Sequence, residues 1–275
     1  MTTTTSEGAP QVLNRIRGAA EPARSAADIA ALLEGDALRI ETDRSVEDTE
    51  AFCRDNGPWR STFRFSNGVS TENFAQNDAV PNPRCMAKMR RFHGRADISR
   101  FAGKRVLDLG FNEGYNSIFM AKYLGCQVDG IEAYPIAITR GRKIADFCGT
   151  RCRFMTDDAN TFVAPETYDL VLHCGILYHL PDVWSNVRNT CASLKPGGEV
   201  LLETMTYEGA DRFDCKFINW HRKGFDNFWA LSIDTVAYMF EEFGCAHVET
   251  IDSYEIGVIK DTGMKRTLMW FRKAA

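Results

Sequence analysis

The chain has 275 residues, 44% hydrophobic and 25% charged, enough for one sizeable core with an appendage. Its net charge of −4 disfavours nucleic acid as a partner. No apolar run reaches membrane-spanning length, and the opening MTTTTSEGAP lacks the layout of a secretory signal, so a cytoplasmic protein with no membrane partner is expected.

Residues 1–10 are Thr-rich and poor in apolar side chains, which predicts no fixed structure. Residues 11–34 carry Ala, Leu, Ile and Arg at helical spacing around Pro22, predicting one or two short helices. Residues 46–100 read as irregular, with turn signals at Asn-Gly and Pro-Asn-Pro and one helix near 83–92. From residue 104 the pattern becomes regular. KRVLDLG is a strand and YNSIFMAKYLG a helix closed by Gly125. CQVDGIEA is a second strand, and PIAITRGRKIADFCG a helix opened by Pro135. RCRFMTDDA and YDLVLHCG are the third and fourth strands, with helix PDVWSNVRNTCASL after them. KPGGEVLLET is a turn and fifth strand, and SIDTVAYMFEEFG a helix capped by Ser232. CAHVETIDS and KRTLMWFRK complete seven strands. Alternating strands and helices predict a mostly parallel sheet covered on both faces. The expected layout is an arm and lid over 1–100, then a domain over 101–275 with an insertion at 205–231.

Nine cysteines without a Cys-x-x-Cys pair read as reduced, mostly buried thiols, and no metal site is expected. In a parallel sheet, ligands bind at the carboxyl ends of the strands, near the point where strand order reverses. Asp108-Leu-Gly110-Phe-Asn112-Glu-Gly114 falls there. Its glycines permit a sharp turn and close backbone approach. The spacing is neither Gly-x-Gly-x-x-Gly nor a P-loop, which favours a nucleoside ligand without a diphosphate. Glu132, at the end of the second strand, suits a ribose. Of Asp157 and Asp158, one is expected to bind an adenine amine and the other to cap the next helix, with Asp158 favoured for adenine.

VLDLGFNEG, Glu132, DDA at 157–159, YDLVLHCGILYHLPD and LKPGGEVLLET together resemble the class I S-adenosylmethionine-dependent methyltransferases over roughly residues 100–275. PWRSTFRFSNGVST (58–71), GILYHLPD and LLET are similar to the wobble-uridine tRNA methyltransferase and carboxymethyltransferase group. The resemblance implies a Rossmann-like α/β fold: a seven-stranded, mostly parallel sheet with one antiparallel strand, and an N-terminal helical arm. It implies S-adenosylmethionine as cofactor. Asp108, Gly110, Asn112 and Gly114 would form the methionine-end loop, Glu132 would hold the ribose, and Asp158 and Ala159 the adenine. Cys174 and Tyr178 would line the cofactor, and Trp59 would close over it. Phe111 departs from the family's smaller residues. In the carboxymethyl branch a basic residue after the tryptophan reads a donor carboxylate, a part open to Arg64.

Tyr178 and His179 follow the fourth strand, on the acceptor side, where His179 either takes a proton from the acceptor or packs structurally. His173 lies within the strand and is expected to be buried and hydrogen-bonded. In the insertion, Trp220, His221, Arg222 and Trp229 either wall an acceptor pocket with aromatic and cationic groups or pack on the sheet edge. The basic run Arg84, Lys88, Arg90, Arg91 and Arg95 reads as a solvated helix face, with phosphate contact as the alternative. The leading expectation is methyl transfer to a small-molecule acceptor, a specialised metabolite or sugar that could be anionic. The alternatives are a tRNA wobble-uridine enzyme and a non-catalytic cofactor-binding protein. Oligomeric state has no signal in the sequence.

Overall fold

A computed structural model describes residues 24–35, 38–75, 83–218, 227–255, 259 and 262–275. The arm opens with α1 (Ala26–Leu33), where Ser25 Oγ accepts the Asp28 amide proton and the Asp28 carboxylate accepts the Ser25 N–H. Then come β1 (Leu38–Ile40), α2 (Val46–Asn56), β2 (Phe63–Phe65), which pairs in parallel with β1, and α3 (Pro83–Ala96). The irregular stretch expected at 46–100 thus contains a further helix. α2 reads VEDTEAFCRDN and buries only Thr49 and Cys53 fully, so hydrophobic spacing carries no signal there. Its signals are polar: Ser45 Oγ accepts from the Asp48 amide at 3.0 Å, and Glu47 and Asp48 sit in the first turn. The helix expected near 83–92 runs on to Ala96. Of the helical pattern over 11–34, residues 26–33 are helical, and the part before residue 24 lies outside the described residues.

The basic run on α3 is a clamp. Lys88 Nζ lies 3.8 Å from Glu203, Arg91 pairs with Asp252, and Arg95 pairs with Glu249. Arg90 donates to the carbonyls of Leu33 at 2.6 Å and Gly35 at 2.9 Å. These four side chains tie the helix to α1 and the sheet, a use that neither sequence reading of the run anticipates. The Arg84 side chain is outside the description.

The domain proper begins with β3 (Arg105–Leu109), buried from Val106 to Leu109 without a break, as a strand covered on both faces must be. It continues through α4 (Tyr115–Leu124), β4 (Gln127–Glu132), α5 (Pro135–Phe147), β5 (Cys152–Thr156), β6 (Tyr168–Cys174), α6 (Val183–Ser193) and β7 (Leu194–Tyr207). After β7 come β8 (Cys215–Phe217), β9 (Trp229–Leu231), α7 (Ile233–Glu242), β10 (Cys245–Tyr254) and β11 (Met264–Lys273). The seven-stranded path is β10-β11-β7-β6-β3-β4-β5. β11 runs antiparallel to both neighbours, and β7, β6, β3, β4 and β5 are parallel. The fold class expected from sequence is therefore the one observed. Strand order reverses between β3 and β6, so their carboxyl ends frame the crevice.

Alternation along the strands divides the core. Val106, Leu170, Leu201 and Leu268 face α4 and the arm, joining Ile118 and Phe119 to Ile29, Trp59, Phe63 and Phe92 in one apolar cluster. Leu107, Val171, Leu202 and Met269 face the other way, onto Val187 of α6 and Val236 and Phe240 of α7. The arm is thus built into the core of one sheet face. In the insertion, β8 and β9 form an antiparallel pair joined to β7 through Thr206 and Leu231, while residues 219–226 are outside the description.

Candidate cofactor and acceptor site

The turn between β3 and α4 has a left-handed backbone at three of its five residues. Gly110, Asn112 and Gly114 have φ of 68°, 54° and 81°. A Cβ at Gly110 would lie 2.7 Å from Ile176 Cδ1, and one at Gly114 the same distance from the Phe154 ring, so handedness and space both require glycine. Asn112 is a residue type that tolerates this region. Phe111 turns beneath the loop, stacked on Phe154 with centroids 4.0 Å apart. The pair fits because Gly130 and Gly141 lie against it; a Cβ at Gly130 would come within 2.7 Å of both rings. The bulky departure seen in the sequence is therefore directed away from the ligand side.

Glu132 ends β4 beside this turn. Its Oε2 accepts the Asn112 amide proton at 3.0 Å, and Oε1 accepts those of Ala133 and Tyr134 at 2.9 and 3.0 Å. Three backbone donors fix the carboxylate before any ligand arrives. Next to it Tyr134 and Ile136 stand exposed, an apolar surface suited to a purine. From the adjacent strand end, the Asp157 amide donates to the Glu132 carbonyl at 3.3 Å. Among the described residues no helix follows the acidic pair before β6 for either member to cap: Asp157 Oδ1 accepts the Asp158 amide at 2.8 Å, and Asp158 Oδ1 accepts from the Asn160 amide at 2.9 Å and side chain at 3.0 Å, fixing a turn. Ala159 is buried, and its carbonyl accepts from Asn186 at 2.9 Å.

Trp59 does not cover this turn. It is fully buried, its indole N–H donates to the Cys53 carbonyl at 2.7 Å, and its ring packs against Phe52 and Phe63. The sequence expectation of a cofactor cover is corrected: Trp59 is a core residue of the arm. What the arm delivers to the turn is backbone. The amides of Arg60 and Ser61 donate to Glu113 at 2.9 and 2.7 Å, and Arg140 of α5 donates to it at 3.2 Å. Glu113 is fully buried, and the sequence reading passed over it. The one available signal was a carboxylate between two turn positions of the strand-to-helix junction. Arg64 sits on β2 beside Glu72 at 3.4 Å, an arm contact.

Asp108 is 1% exposed beneath the turn and accepts from Ser117 Oγ at 2.6 Å. Burial raises its carboxyl to about 6. Burial also pushes the Cys174 thiol up to about 12, so it is a neutral thiol at the end of β6. Tyr178 and His179 form a single helical turn after β6, with rings 4.2 Å apart and His179 exposed. The Arg266 guanidinium lies 4.5 Å from the Tyr178 ring centre and donates twice to Glu203, once at 2.6 Å. His173 is fully buried and bonded to Asn186 Oδ1 at 2.6 Å, as expected, and burial lowers it to about 4. On the insertion, Trp229 donates its indole N–H to the Pro181 carbonyl at 3.2 Å and meets Phe217 edge-on, while the Phe228 amide donates to the Tyr178 carbonyl. Trp220, His221 and Arg222 lie outside the described residues. Among the described residues no group of three or more His, Cys, Asp or Glu could hold a metal ion, and no helix is long and apolar enough to cross a membrane.

A mostly parallel sheet with a glycine turn at its switch point and a carboxylate at the neighbouring strand end defines a Rossmann-like protein with a nucleoside-type site. A methyltransferase domain model matches residues 83–250, more than half of the chain, and the chain belongs to that family. It is 35% identical to a ubiquinone biosynthesis O-methyltransferase of Stutzerimonas stutzeri over 106 residues, 38% of this chain and 45% of that protein. It is 28% identical to a tRNA U34 carboxymethyltransferase of Methylococcus capsulatus over 180 residues, 63% of this chain and 52% of that protein. The chain spans about half the length of the curated relatives it matches. Among solved structures, the N-terminal domain of EvdMO1 in the presence of SAH and D-fucose superposes with a TM-score of 0.62 at 17% identity, covering 85% of this chain and 98% of that one. The Burkholderia thailandensis 1,6-didemethyltoxoflavin-N1-methyltransferase gives 0.52 at 17% identity, covering 69% and 79%.

Two outcomes follow from the burial of Trp59 and Asp108. Trp59→Ala opens a large void in the arm core and should lower stability by about 3–5 kcal/mol, read as a drop in denaturant midpoint. Between pH 3.8, where Asp108 titrates in the unfolded chain, and about pH 6, the folded chain holds a proton that the unfolded chain has lost. Stability therefore falls as pH rises through that window. Asp108→Asn should melt above wild type at neutral pH, with the difference vanishing below about pH 4 in a calorimetric pH series.

Proposed function

We propose that this chain transfers a methyl group from S-adenosylmethionine to a small-molecule acceptor. The observation that carries the reading is the pre-formed carboxylate of Glu132, locked by backbone donors to the glycine turn of Gly110 and Gly114. Glu132 would accept the ribose hydroxyls, with Tyr134 and Ile136 against the purine and the outer side of Asp158 toward its amine. The turn Asp108–Gly114 would hold the methionine end, whose ammonium suits the ionised Asp108. Bound S-adenosylmethionine supplies a methyl on a sulfonium, ready for displacement. The chain's own part is to hold an acceptor in line with that methyl at roughly 3 Å, a proximity effect worth several kcal/mol. Tyr178, steadied by Arg266, and exposed His179 stand on the acceptor side at the end of β6. His179 would take the proton that an acceptor hydroxyl or amine releases. Trp229 backs that side from the insertion.

A tRNA substrate is the second reading, favoured by the longer match to the tRNA U34 carboxymethyltransferase. Against it, four basic side chains of α3 are engaged within the protein by Glu203, Asp252, Glu249 and the carbonyls of Leu33 and Gly35. A helix that grips RNA needs such groups for phosphates.

Glu132→Ala should weaken binding of S-adenosylhomocysteine by about 1–3 kcal/mol in calorimetry, the cost of a lost charged hydrogen bond; unchanged affinity would place the ribose elsewhere. A methyl-transfer screen over small hydroxylated, carboxylated and phosphorylated acceptors should find turnover, while tRNA binding stays weak across a salt series. Tight tRNA binding that collapses with salt, and is lost on neutralising Arg90 and Arg91, would put the second reading first.

A further inference from the structure

The stretch Pro58-Trp-Arg-Ser61 is singled out by the sequence, yet its tryptophan faces the arm core and has no part in the site. Its backbone has another destination. The Trp59 amide donates to the Phe74 carbonyl at 3.0 Å, and the indole N–H is fixed on Cys53. Thr71 Oγ1 donates to the Ser61 carbonyl and accepts from the Phe63 amide, both at 2.8 Å. The segment is held on both sides, and the amides of Arg60 and Ser61 between these anchors point at one carboxylate, Glu113.

Glu113 occupies the cofactor turn, between Asn112 and Gly114, both with left-handed backbone. The Asn112 amide is the donor that reaches Glu132. Among the described residues, Arg140 is the cation paired with Glu113, at 3.2 Å, and its side chain is itself buried. Removing the arm's two amides would leave this buried carboxylate with Arg140 as its one partner among the described residues. Such a group reaches water only by swinging outward. That movement would carry the Asn112–Gly114 turn with it and break the Asn112 bond to the ribose carboxylate. Conversely, a ligand that fixes the turn fixes Glu113, and so favours the docked arm.

We propose that Glu113 is the positioning residue through which the docked N-terminal arm and the occupied cofactor turn stabilise each other. The inference rests on the cofactor reading above. Linkage requires the effect to be reciprocal: cofactor product should steady the arm by the factor by which the docked arm tightens the product.

Hydrogen exchange of the wild-type chain, with and without S-adenosylhomocysteine, tests one direction and needs no variant. Amides of residues 58–65 should exchange more slowly when the product is bound. Glu113→Gln keeps the shape and removes the charge, and tests the other direction. It should bind S-adenosylhomocysteine about tenfold more weakly, the size of a lost charged hydrogen bond. It should also lose the product-dependent slowing at 58–65, with β6 and β7 exchanging as in wild type. Wild type that binds the product with no change at 58–65 would overturn the coupling, as would a Glu113→Gln chain with wild-type affinity and wild-type slowing. Wild type that fails to bind the product at all would instead overturn the cofactor reading, and this inference with it.

Discussion

The molecule depends on a backbone that must turn left-handed at Gly110, Asn112 and Gly114 while staying clear of water on one side. Such a turn is held only if its surroundings over-determine it. Three supports do so. Phe111 and Phe154 stack beneath it, Glu132 takes the Asn112 amide from the side, and Glu113 is gripped from the arm and from α5. The glycines of β4 and α5 are part of the same solution, since Gly130 and Gly141 make room for the aromatic pair. Sequence positions scattered from 60 to 154 are thus constrained by one five-residue loop.

Charge in this chain is used mainly between elements. Glu203 joins Lys88 of α3 to Arg266 of β11. Glu199 is 2% exposed and takes hydrogen bonds from Arg100, Trp270 and Arg272. Asp129 does the same for Arg105, Arg153 and Tyr168, nearly level with Glu199 across the sheet. A buried carboxylate with several donors contributes specificity of placement more than net stability. Here each one fixes which surface packs against the sheet edge or the strand ends. The basic run of α3 belongs to this scheme, so its sequence pattern resembles a phosphate-binding face while its side chains serve packing.

The sheet was legible because buried parallel strands are apolar throughout and their helices carry cap residues at the expected places, as with Pro135 and Ser232. The position of Glu132 was legible because a strand end is set by the strand pattern alone. α2 was hidden by its polar composition. Trp59 was misread because a tryptophan in a motif says nothing about which way the ring points; only packing against Phe52 and Phe63 decides it. Glu113 escaped because its partners are backbone amides more than fifty residues away, which no local pattern encodes.

Asp108 shows the other side of this economy of placement. Its carboxyl is desolvated enough to titrate near 6, although Ser117 donates to it and Lys88 lies within electrostatic reach. At neutral pH the fold therefore keeps an ionised group where a neutral one would be more stable. A purely structural role would favour the amide, which fills the same space and can hold the Ser117 bond. A cationic ligand end above the turn, as proposed for the methionine end, would reverse that preference, because its charge would be matched only by the ionised form. Under the cofactor reading proposed above, one ligand would account for both the cost of ionised Asp108 and the left-handed turn above it.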